Sequence, residues 1–167
     1  MVLKITLWKQ LKSLFSLIFI TLLYIGGLVY AEIPLEERAV LIFLLPYLVI
    51  FFIPVIIIHL NYYINGTGII YKIDESGITK TVNNKEEFIS IADIKEITFF
   101  MMPNRLLNSA VRSLPFEDYY YVQILTTDKK VIYISCLFST KIDKILEVNF
   151  KELNIKKLKA IYPLITA

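Results

Sequence analysis

Two long uncharged runs give way to short alternating segments beyond residue 66, and this change of pattern divides the chain. No charged residue occurs from Ser13 to Ala31 or from Ala39 to Tyr71, counting His59 as neutral. As helices, Leu14 to Ala31 would extend ~27 Å and Ala39 to Leu60 ~33 Å, which matches a hydrocarbon core of about 30 Å. Both runs are apolar on every side, and a helix satisfies its own backbone where lipid cannot. Two transmembrane helices are expected, with Gly26 and Gly27 allowing close approach of a neighbouring backbone and Pro46 and Pro54 bending the second helix.

The flanks orient the pair. Lys4, Lys9 and Lys12 precede the first helix, whereas Glu32 to Arg38 carries three acids and one base, so the N-terminus is expected in the cytoplasm. A competing reading takes 14–31 as a signal peptide, with Val29 and Ala31 small enough for a cleavage site. Its apolar run is longer than the usual 7–15 residue core of such signals. In either reading the C-terminal part ends on the same, cytoplasmic side.

After Gly66 the period becomes strand-like. Gly68 to Ile73 and Ile78 to Val82 flank Asp74-Glu75-Ser76-Gly77, a turn in which glycine supplies positive φ. Asn83 and Asn84 make the next turn, and Glu87 to Ile91 with Ile94 to Phe100 read as a strand pair or one strand broken at Ala92-Asp93. Asp118 to Thr126 and Lys130 to Cys136 form a further hairpin. Strands at this spacing predict an antiparallel sheet, curled or closed. A helix follows, with Thr140 and Asp143 as a shortened capping box and Ile142, Ile145, Leu146 and Phe150 at helical spacing. The tail beyond it is basic and is expected to be a short helix or frayed.

The expected organisation is a cytoplasmic segment at 1–13, transmembrane helices at 14–31 and 39–60, an external loop at 32–38, a cytoplasmic domain at 66–150 and a basic tail at 151–167. The order of hairpins, bent sheet and closing helix, with the stretch YKIDESGITKTVNNKEEFISIADIKEIT from Tyr71 to Thr98, resembles the small bacterial membrane proteins that place two transmembrane helices ahead of a PH-like domain. In that family a strand ends in Asp or Thr, a Gly-Ile or Gly-Leu opens the next, and an apolar-Asp-Ile-x-x-Ile segment follows. Here these are Asp74, Gly77-Ile78, and Ile91, Asp93, Ile94 and Ile97. The resemblance implies a membrane α-helical hairpin carrying a PH-like antiparallel β-barrel with a C-terminal capping helix. It also implies a tethered binding or scaffolding module of the inner (plasma) membrane rather than an enzyme. Phosphoinositide-binding PH domains carry several Lys and Arg around the first hairpin. Here that tip is acidic, with only Lys72 and Lys80 beside it, so inositol phosphate recognition is not expected.

Composition supports this class. Hydrophobic residues make up 56% of the 167 and charged residues 20%, with a mean hydropathy of +0.61, on the apolar side of globular usage. A net charge of +3 is too small a surplus for a nucleic-acid partner. Catalytic chemistry has little to work with. His59, the one histidine, reads as a polar group at a helix end, and Cys136, the one cysteine, as a buried strand residue. The acidic pairs Asp74/Glu75, Glu86/Glu87 and Glu117/Asp118 lie at turns or strand ends, where solvation explains them. No cofactor or metal is expected.

The segment Met101 to Phe116 stands apart. Leu106, Leu107, Ala110, Val111 and Leu114 share one helical face, with Arg105 and Arg112 off it, which predicts a short amphipathic helix between Pro103 and Pro115. It either plugs an open end of the barrel or lies against the bilayer or a partner, and Arg105, Leu106, Leu107, Val111 and Arg112 are the candidate contact residues. The expected partners are the lipid bilayer and a protein, with a second copy of the chain among the options. The alternative function is an immunity-type or membrane-protective protein acting through its helices.

Overall fold

The computed structural model describes residues 1–32, 37–107 and 114–166. The chain starts not with a tail but with a strand, β1 (Val2–Lys4), followed by helix α1 (Leu7–Tyr30). Thr6 caps α1, its hydroxyl accepting from the Lys9 amide at 3.4 Å. The second apolar run is helical from α2 (Glu37–Tyr47) through a π-helical segment (Leu48–Phe52) to α3 (Ile53–Gly66). The wide turn sits between Pro46 and Pro54, and the Ile53 amide reaches back five residues to the Leu48 carbonyl. Proline removes the i→i−4 bond and disturbs the turn before it, so a π-segment bounded by two prolines has a local cause.

Leu7–Tyr30 and Ile42–Gly66 are long and apolar enough to cross a membrane, at 24 and 25 residues. Their facing sides hold a few polar contacts. The Tyr24 and Tyr47 rings stack at 4.6 Å, the Thr21 and Tyr47 hydroxyls bond to one another, and the Tyr24 hydroxyl donates to the Phe43 carbonyl. Most of their large apolar side chains, such as Phe15, Phe19, Leu22, Ile50 and Ile57, remain exposed.

The remaining strands are β2 (Ile69–Asp74), β3 (Gly77–Val82), β4 (Lys85–Ser90), β5 (Ile94–Met101), β6 (Tyr120–Thr126), β7 (Val131–Ser135) and β8 (Ile155–Lys159). Turn chemistry fixes their local order. Asn83 and Asn84 both take positive φ, 49° and 63°, the two-residue turn that matches strand twist. Gly77 has φ +154°, and a Cβ there would lie 2.1 Å from the Ile89 carbonyl oxygen, so β3 and β4 approach where only glycine fits.

Among the described residues the strands form two sheets, in the orders β1-β2-β3-β4 and β7-β6-β5-β8. The expected closed antiparallel barrel is not what forms. No ladder joins β4 to β7; these edges meet instead through the Lys130–Glu87 ion pair at 2.8 Å, and a cleft of about 490 Å³ runs beside them. Lys85, Glu86, Glu87 and Phe88 are exposed on β4, a charged edge of the kind that resists further pairing. Ala92-Asp93 falls in a 3-10 turn (Ile91–Asp93) where the chain leaves one sheet for the other.

The basic tail also differs from expectation. β8 pairs in parallel with β5, Ile97 opposite Ile155, and Lys156 meets Glu96 at 2.5 Å. Beyond it the Tyr62 hydroxyl donates to the Pro163 carbonyl at 2.6 Å, and Asn61 makes two bonds with the Ile165 backbone. The tail is therefore docked on α3 rather than frayed. The last helix, α5 (Ile142–Asn149), buries Ile142 and Leu146 against the sheets, with Phe150 buried just after it. No side chain caps α5; Asp143, expected in a capping box, is turned elsewhere.

Leu3 of β1 is 1% exposed and pairs with Tyr71 of β2. The N-terminal amine donates to the Ile73 carbonyl at 2.6 Å, and Lys9 at the base of α1 donates to the Phe138 carbonyl at 2.6 Å. The apolar helices are thus an insertion between the first two strands of one sheet, and both ends of the hairpin return to the domain.

Candidate functional site

The short helix α4 (Pro103–Leu106) follows β5 and carries Arg105 into the domain. The Arg105 side chain is 9% exposed, with its guanidinium 3.8 Å from the centroid of the Tyr120 ring. Its Nη2 donates to Asp143 at 3.0 Å and to the Thr140 carbonyl at 3.2 Å, and Asp118 lies 4.0 Å from Nη1. The Tyr120 hydroxyl donates to the other Asp143 oxygen at 3.1 Å. Two carboxylates and an aromatic face offset the desolvation of one buried cation, which is the condition for burying it. Asp143 serves this pair, which is why it does not cap α5.

Next to this cluster Asn104 donates to Glu117 at 2.5 Å, and the Leu114 amide donates to the other Glu117 oxygen at 3.1 Å. Glu117 thereby ties together the two ends of the Met101 to Phe116 segment. Of the sequence candidates, Arg105 is a buried ion-pair partner, Leu106 is half-buried and Leu107 is 76% exposed. Val111 and Arg112 lie outside the described residues. The helix expected between Pro103 and Pro115 is described only over Pro103–Leu106.

His59 is buried midway along α3, its Nδ1 2.9 Å from the Tyr119 hydroxyl and its Nε2 3.5 Å from Gln10 of α1. It joins both helices to Tyr119, just ahead of β6, rather than simply ending one helix. Only the fold brings residues 10, 59 and 119 together. Cys136 is buried, and that burial pushes its thiol up to about 12, so it carries essentially no thiolate near neutral pH. Burial likewise raises the Tyr119 and Tyr120 hydroxyls above the ordinary phenol range. Among the described residues no group of His, Cys, Asp and Glu is placed to hold a metal ion.

A cavity of about 400 Å³ opens over the Arg105 cluster, with Lys12 and Ser13 of α1 on one side and Thr140, Lys141 and Lys144 on the other. The sequence signal for it is faint. Lys12 is the last charge before the first apolar run, and Lys141 and Lys144 are one helical turn apart at the start of α5.

No curated protein matches the chain. Part of the chain is similar to a chain in the solved structure of the Spt16D Pob3N heterodimer, at 14% identity and a TM-score of 0.35, covering 59% of this chain and 51% of that one, about half its length. The PH domain family matches residues 2–143, from β1 through both apolar helices and strands β2 to β7 to the first turn of α5, leaving β8 outside. With the match spanning most of its length, the chain belongs to the PH domain family.

Proposed function

We propose that this protein is a membrane-anchored interaction module without catalytic activity. Its hairpin spans the inner (plasma) membrane with both termini cytoplasmic, and its PH-like domain binds a protein partner or the membrane surface. PH-like domains are generally interaction modules. The observation that carries this reading is the pairing of β1 with β2 across the hairpin, Val2–Lys4 against Ile70–Lys72. A sheet that takes strands from both ends of the hairpin requires both ends on one side of a bilayer. It also argues against cleavage after Ala31, which would remove a strand whose Leu3 is buried in the core. Exposed Leu107, on the connection between β5 and β6, supports the Met101 to Phe116 segment as the contact surface, with Arg105 fixing its base and Leu106, Val111 and Arg112 as the segment's other candidate contacts.

The test is a photo-crosslinker at Leu107 in native membranes, together with the double variant Leu107→Asp, Val111→Asp. A defined crosslinked partner that the double variant loses, while resistance to alkaline extraction is kept, supports the reading. A complex that survives both changes rules out this surface, and release of the protein by alkaline extraction rules out the anchor.

A further inference from the structure

We propose that the cavity between α1, α4 and α5 is a binding site for the headgroup phosphate of an anionic phospholipid in the leaflet facing the domain. The inference rests on the membrane-spanning reading above. Its first ground is charge. Lys12, Arg105, Lys141 and Lys144 line the cavity against two acids, Asp118 and Asp143, a surplus of two positive charges (4 − 2). Both acids lie within 4.0 Å of Arg105. The three lysines are exposed and enter no ion pair among the described residues.

Its second ground is depth. Lys12 is the last charged residue before nineteen uncharged ones, Ser13 to Ala31, so in a spanning helix it stands at the boundary between headgroups and acyl chains. A cavity lined by Lys12 and Ser13 is therefore at the level where lipid phosphates lie. The Ser13 and Thr140 hydroxyls add neutral donors. The third ground is an unmet donor. Arg105, which lines the cavity, has its Nε buried without a hydrogen-bond partner.

This site differs from the first hairpin, where Asp74 and Glu75 make the tip acidic. It is built from the membrane helix and the last helix together. A lipid seated there would bridge α1 and α5 and so set how the domain stands on the bilayer.

The full chain in detergent is titrated with phosphatidylglycerol and, separately, phosphatidylcholine, and bound lipid is counted by native mass spectrometry. The variants are Lys12→Ala/Lys141→Ala/Lys144→Ala, the same three positions changed to Arg, and Lys72→Ala/Lys80→Ala. Each lysine removed is expected to weaken phosphatidylglycerol binding about fivefold, and all three about a hundredfold. The arginine variant and the Lys72/Lys80 variant should bind as the parent does. Equal binding of the two lipids, a triple variant within about twofold of the parent, or an equal loss at Lys72 and Lys80 overturns the site. Glycerol 3-phosphate binding as tightly as phosphatidylglycerol overturns the lipid and assigns the cavity to a soluble phosphate. Alkaline extraction of the same protein separates the two readings. A protein released from membranes fails both, whereas one that stays embedded with unchanged lipid binding fails only this one.

Discussion

Leu3→Ala tests whether the N-terminus is part of the domain. Leu3 is 1% exposed in a three-residue edge strand, while its neighbour Val2 is 60% exposed. Burying a leucine and then truncating it to alanine costs about 2–5 kcal/mol, set by how far the surroundings collapse. A short edge strand relaxes more readily than a central one, so about 3 kcal/mol is expected here. For a chain of this size each kcal/mol moves the midpoint by about 2–4 °C, which predicts a fall of about 6–12 °C. Val2→Ala removes a methyl pair from the exposed face and should stay within about 0.5 kcal/mol. The assay is thermal unfolding of the full chain in detergent, followed by tyrosine fluorescence from the domain. A Leu3→Ala midpoint no lower than that of Val2→Ala would refute the placement of β1 in the sheet, and with it the argument that both ends of the hairpin face the same side.

Three further outcomes follow from the Arg105 cluster and the buried thiol. Arg105→Ala leaves Asp143 without its cation and should cost about 3–5 kcal/mol in chemical denaturation, with much of the loss recovered in Arg105→Ala/Asp143→Ala; additive single costs would show that the pair is not coupled. Cys136 should resist maleimide in the folded chain at pH 8 and react on unfolding. Its thiol is raised from 9.0 to about 12 on folding, so its contribution to stability is full below pH 9 and is lost as the pH rises toward 12. Cys136→Ala should flatten that alkaline slope, and an unchanged slope would assign the loss to the buried tyrosines.

What the sequence determined was local. The apolar runs, the turns at Asp74–Gly77, Asn83–Asn84 and Thr127–Lys129, and the helix at Ile142–Asn149 depend on residues a few positions apart, and spacing alone reveals them. The PH-type order of elements was legible for the same reason, because hairpins join neighbours in sequence. The tertiary structure decided what pairs over long separations. Val2–Lys4 is too short to show a period, and only its place beside β2 makes it a strand. Ile155–Lys159 carries three lysines and reads as a solvated tail until β5 supplies a partner. Arg105 reads as a surface charge on a helix until Asp143, 38 residues away, and the Tyr120 ring offset its desolvation. The cavity above it draws Lys12 from one end of the chain and Lys144 from the other. Such contacts are set by the balance of desolvation against pairing in the finished fold, and that balance leaves no periodic mark along the chain.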